Sequence, residues 1–76
     1  MKYENGEEIK RGDNILIENG KTKGIIYDII DSLDKQKFWN VNTYGVMIES
    51  KPFGLVFWSL DDVDKIKFIN RVKRYD

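Results

Sequence analysis

Residues 14–30 read NILIENGKTKGIIYDII, and the fold turns on how this stretch pairs. Asn19-Gly20 is the strongest hairpin signal in the chain, because both central positions of a type I′ turn need φ > 0 and Asn and Gly adopt it most readily. Before the turn, Ile15 and Ile17 alternate onto one face, as a half-buried strand requires. After it, residues 24–30 are rich in Ile and Tyr, which suit a pleated surface. Two antiparallel strands are expected, over 14–18 and 24–30. Gly12-Asp13 turns the chain into the first, and Gly24 is expected to allow a bulge or a close backbone approach at the start of the second.

The same rhythm of short β-rich runs and turn signals continues outward, and Asn5-Gly6 is a second hairpin candidate. Residues 31–37 are polar and read as a loop, 38–42 as an extended lead-in, and 45–49 as a strand. Ser50-Lys51-Pro52-Phe53-Gly54 supplies a tight connection with the only proline, and 55–58 return antiparallel. Ser59-Leu60-Asp61-Asp62 has the spacing of a capping box, so a short helical or 3₁₀ turn is expected before a last strand at 66–69. Helical periodicity is nearly absent. The expectation is one all-β domain spanning 1–76, with residues 73–76 fraying.

Composition narrows the function. With neither Cys nor His, disulfides, thiolate nucleophiles, the usual zinc ligands and the ordinary neutral-pH base are all missing. No glycine loop suited to phosphate is present, and Asp61-Asp62-Val63-Asp64 lacks the alternating layout of a calcium loop. A non-enzymatic protein without cofactor, metal or small-molecule substrate is the expectation. The first ten residues are charged and carry no secretory apolar run, and no stretch reaches the roughly 20 apolar residues of a membrane span, so the expected location is the cytoplasm.

Thirteen basic and thirteen acidic residues cancel, against the broad positive field of a dedicated nucleic-acid binder. The charges are nonetheless segregated. Eight acids face five bases up to Asp34, whereas from Lys65 onward five bases, Lys65, Lys67, Arg71, Lys73 and Arg74, face Asp76 alone. One reading is that a basic end strand protects a β-edge from pairing with other chains; the other is a polar molecule with an acidic face.

Five short strands with a turn before the fifth resemble the SH3-like barrel. The pattern Gly12-Asp13-x-Ile15-x-Ile17-x-x-Gly20, then Gly24-x-Ile26, is similar to the opening of many such barrels, including the KOW motif of ribosomal and transcription proteins. The wider glycine spacing, through Gly45-Val46-Met47-Ile48 and Gly54-Leu55-Val56 to Ile66-Lys67-Phe68-Ile69, resembles small bacterial immunity proteins encoded beside polymorphic toxins. That second resemblance implies a protein that binds and blocks one toxin domain. The KOW likeness implies nucleic-acid binding instead, through Lys65, Lys67, Arg71, Lys73 and Arg74, with aromatics stacking on bases.

The aromatics carry the remaining signal. Phe57-Trp58 sit side by side in a strand, where neighbours point to opposite faces. Leu55 and Phe57 therefore share one face and Val56 and Trp58 the other, leaving apolar groups on both. Either residues 31–43 fold over the outer face, covering Trp58 with Phe38 or Trp39, or an aromatic patch stays open. In the second case Trp39, Tyr44, Phe53 and Trp58, with Asp61, Asp62 and Asp64 meeting a basic partner, form a protein-binding surface on a monomer or weak homo-oligomer.

Overall fold

The hairpin forms around Asn19-Gly20 as its sequence requires. In the computed structural model, which describes residues 1–51 and 53–71, β1 (Asp13–Ile17) pairs antiparallel with β2 (Thr22–Ile30), Ile17 opposite Thr22. Asn19 and Gly20 have φ of 60° and 83°, and Lys21 N–H donates to the carbonyl oxygens of both Ile17 and Glu18. Glu18 is left-handed as well, at φ 54°, which no residue preference signals. At the other candidate only Gly6 takes positive φ. There Gly6 N–H donates to Tyr3 O and Tyr3 N–H to Glu7 O, a type I turn followed by a left-handed glycine instead of a type I′ turn.

The remaining strands are β3 (Gly45–Ser50), β4 (Gly54–Ser59) and β5 (Lys67–Arg71), with a 3₁₀ turn (Leu60–Lys65) before the last. They form one antiparallel sheet in the order β4-β3-β2-β1-β5. Five strands with a turn before the fifth are as expected, but the SH3-like barrel is not closed: β4 and β5 are edges of the sheet. The expected fraying at 73–76, and Lys73 and Arg74 with it, lies outside the described residues, as does the side chain of Asp64.

One element was not expected. Residues 31–42, read as loop and extended chain, contain a helix, α1 (Leu33–Trp39). Ser32 caps it by accepting Lys35 N–H at 3.2 Å, and left-handed Asn40 ends it. None of its residues is fully buried, so it has no apolar stripe by which periodicity could reveal it.

The core gathers Tyr3, Ile9, Ile15, Ile17, Ile26, Val46, Ile48 and Ile66, with Val56, Trp58 and Phe68 packed against it. Trp58 is thus the aromatic that faces inward, and Phe57 lies on the outer face. Gly24 makes the expected close approach, since a Cβ there would stand 2.7 Å from Ile48 Cγ2. The bulge falls three residues later. Ile26 pairs with Ile48 but Asp28 with Met47, leaving Tyr27 as the extra residue. The bulge swaps the faces of β2, so Asp28 joins Met47 outside while Ile29 packs on the core. Ile30 and Met47 are buried yet lie outside the core cluster. They mark a second, smaller apolar layer on the outer face.

Asp13, fully buried at the start of β1, ties the ends of the chain together. Its carboxylate accepts from Tyr3 Oη at 2.6 Å, Lys10 N–H at 2.9 Å and Arg71 Nε at 2.7 Å. Arg71 also donates to Glu8 O and lies over the Phe68 ring, which packs on Tyr3. Burial is the largest influence on Asp13 and pushes its pKa up, but the hydrogen bonds from Arg71, Tyr3 and Lys10 together outweigh it and hold the carboxyl below its usual range. Burial, then the bond to Asp13, raises the Tyr3 phenol far above its ordinary value, so it stays a donor.

Asp13→Ala leaves the buried Tyr3 hydroxyl and the Lys10 N–H without their acceptor, at about 1–3 kcal/mol for each such group, so it should cost about 3 kcal/mol in all. That is most of what a core of this size supplies, roughly 3–5 kcal/mol, and a urea midpoint close to wild type would contradict the role given to Asp13. The sign of the pH effect follows from the lowered native pKa. Asp13 stabilises fully above its unfolded value of about 3.9 and loses that contribution as pH falls through the native value. Asp13→Asn should therefore be less stable at neutral pH and less sensitive to acid.

Candidate functional site

The outer face of β2 and β3 is where the sequence leaves most unexplained chemistry. Helix α1 lies against β2 here, and a buried carboxylate anchors it. Lys35 Nζ reaches both oxygens of Asp28, at 2.9 and 2.8 Å, while Trp39 Nε1 donates to Oδ2 at 2.8 Å. Ile29 N–H donates to Oδ1 at 2.9 Å. Burial again acts most strongly and upward, yet Lys35, Trp39 and the Ile29 amide prevail, and Asp28 is held ionised below the usual carboxylate range. The negative charge of Asp28 is therefore spent inside the protein.

Above this anchor three aromatic rings meet edge to face. Tyr27, pushed outward by the bulge, lies 6.0 Å from Trp39, and Phe38 lies 5.2 Å from Trp39 on the other side. Trp39 is half-buried, Tyr27 is 48 % exposed and Phe38 is 74 % exposed. Exposed Asp31 and Asp34 stand at the start of α1, and exposed Glu49 pairs between Ile25 and Leu55 on the same outer face. The result is an aromatic centre with an acidic margin.

The other expected site residues are scattered. Trp58 is packed against the core, so the residues 31–43 do lie over the outer face, but at Asp28 of β2 and not over Trp58. Tyr44 precedes β3 and Phe53 precedes β4, at opposite ends of one hairpin, about 23 Å apart along strands that rise roughly 3.3 Å per residue. Tyr44 O accepts the Leu60 N–H, which brings Tyr44 beside exposed Asp61. Asp62 is engaged by Ser59 Oγ and Lys65 Nζ, each at 3.3 Å. Of the basic set, Lys65 is paired with Asp62, Arg71 is held by Asp13 and Glu8, and Lys67 stands beside the β1–β2 turn. Among the described residues no group of acidic side chains is placed to hold a metal ion, and no helix is long and apolar enough to cross a membrane.

Sequence reasoning missed Tyr27 and Phe38 as a pair with Trp39, because it needed both the bulge and the helix. A second feature was also missed. Lys21, Lys23 and Lys51 line a shallow groove with Glu49, Ile25 and Asn70, and none of these lysines forms an ion pair among the described residues.

Compared with family models, curated proteins and solved structures, the chain finds no match in any of the three. The functional reading rests on this geometry.

Asp28→Asn should release α1 from the sheet while leaving the core in place. The loss of two charge-assisted contacts is expected to cost about 1–2 kcal/mol, with Trp39 emission shifting red and becoming quenchable by iodide. An unchanged Trp39 environment would show that α1 is held by something else. In the wild type the same release should appear in acid, as pH falls through the lowered native pKa of Asp28.

Proposed function

We propose that this chain is a non-enzymatic protein-binding module whose contact surface is the Tyr27, Trp39 and Phe38 array with its acidic margin. The observation that carries the reading is Phe38, the most exposed large apolar side chain among the described residues, held on a capped helix whose partner ring is fixed by Asp28. Rigid aromatics bring contact area with little ordering cost, and they are the commonest centres of interface energy. Asp31, Asp34 and Glu49 at the margin favour a partner with a basic surface and speed its encounter.

In its most concrete form the module is an immunity protein that neutralises a bacterial toxin domain, as the resemblance to small bacterial immunity proteins implies. A nuclease with a basic cleft would present the complementary charge. The lysine-lined groove favours a second reading, in which Lys21, Lys23 and Lys51 hold a nucleic-acid backbone and the aromatics stack on its bases.

Phe38→Ala separates function from folding. Its stability should stay within about 0.5 kcal/mol of wild type, while partner affinity falls by roughly 30-fold or more. The measurement is recovery of the partner by tagged wild-type and Phe38→Ala protein, with and without nuclease. Equal recovery by the two proteins would overturn the aromatic surface. Loss on nuclease treatment, with binding that weakens by orders of magnitude in moderate salt, would move the assignment to the lysine groove.

A further inference from the structure

The two edges of the sheet are built differently. β5 carries Lys67 and Arg71 and a register shift against β1, features that discourage edge pairing. β4 reads Gly-Leu-Val-Phe-Trp-Ser, with no charge, no proline and, among the described residues, no strand on its far side.

The direction of its backbone groups can be derived. Leu60 N–H donates to Tyr44 O at 2.8 Å, and this pair continues the β3–β4 register, in which Gly45 faces Ser59 and Val46 faces Trp58. Directly opposed residues of an antiparallel ladder alternate between bonded and non-bonded pairs. Val46–Trp58 and Ile48–Val56 are therefore the bonded pairs, and Leu55 and Phe57 turn their N–H and C=O groups away from β3. Their side chains stand on the outer face, where Leu55 is 43 % exposed.

We infer that β4 is a self-association edge, at which a second copy of this chain adds its own β4 antiparallel across a two-fold axis. A pair centred on Phe57 sets the two Phe57 rings side by side and Leu55 beside Ser59 of the other copy, with no like charges opposed. The chain as a whole has no net charge, so two copies meet without long-range repulsion. The contact makes one ten-stranded sheet and is isologous, as a closed dimer requires. A heterologous strand would need a partner matched to this edge, whereas the edge already matches itself. The inference is independent of the aromatic surface, since it uses neither α1 nor Tyr27.

Sedimentation equilibrium of the full chain should show the mean mass rising from one chain toward two as concentration increases. Leu55→Pro should hold it at one chain with an unchanged β-sheet spectrum, because the N–H it removes is not part of the β3 ladder. Phe57→Lys, which keeps the backbone and sets two like charges opposite each other on the axis, should do the same. Hydrogen exchange gives a reading without substitution: the Leu55 and Phe57 amides should gain protection as concentration rises. A chain that stays monomeric to millimolar concentration, or a dimer that survives both substitutions, would overturn the assignment. Either failure leaves the Phe38 result unaffected.

Discussion

The buried carboxylate of Asp13 is the constraint on which the rest of the molecule depends. A cysteine-free chain of 76 residues has little apolar area to commit, and its ends must be brought together against the entropy of closing a long loop. Asp13 does this by holding Tyr3 from the N-terminal hairpin and Arg71 from the last strand in one cluster. Tyr3 and Ile9 then close the core beside Phe68. Such a charge is tolerated because its hydrogen bonds are made, and among the described residues no buried side-chain polar atom lacks a partner. The basic character of the last strand has a structural use here, since one of its cations is inside this cluster.

A one-residue bulge governs the other half of the molecule. Because side chains alternate with a period of two, a single extra residue at Tyr27 reverses the faces of everything after it in β2. Ile29 is sent to the core, and Asp28 and Ile30 to the outer face. The outer face then needs a cover, which α1 supplies, and the cover needs an anchor, which Asp28 supplies. Tyr27 itself is turned out beside Trp39.

The strands were readable because their signals are local: Asn19-Gly20, the Ile15 and Ile17 alternation, and the β-rich runs after Gly45 and Gly54 each act within a few residues. The adjacency of Phe57 and Trp58 correctly implied two apolar faces, and the β3–β4 register assigned each ring to one of them. Helix α1 was not readable. A seven-residue helix is too short to form by propensity alone, and it is fixed by tertiary bonds from Lys35 and Trp39 to a residue seven or more positions earlier. Nothing apolar repeats between Ser32 and Asn40, the residues that cap it. The roles of Asp13 and Arg71 were hidden for the same reason, because a contact across 58 positions leaves no trace in spacing.

The excursion that carries α1 leaves the sheet at Ile30 and returns at Gly45, and these two residues are paired with each other. The base of the excursion is therefore already sealed by the ladder, and neither the main core nor the Asp13 cluster draws a residue from it. Residues 31–44 are in this sense a cassette. Its sequence can diverge in length and chemistry while the scaffold beneath is inherited unchanged, so related chains could keep one architecture and differ in what they recognise.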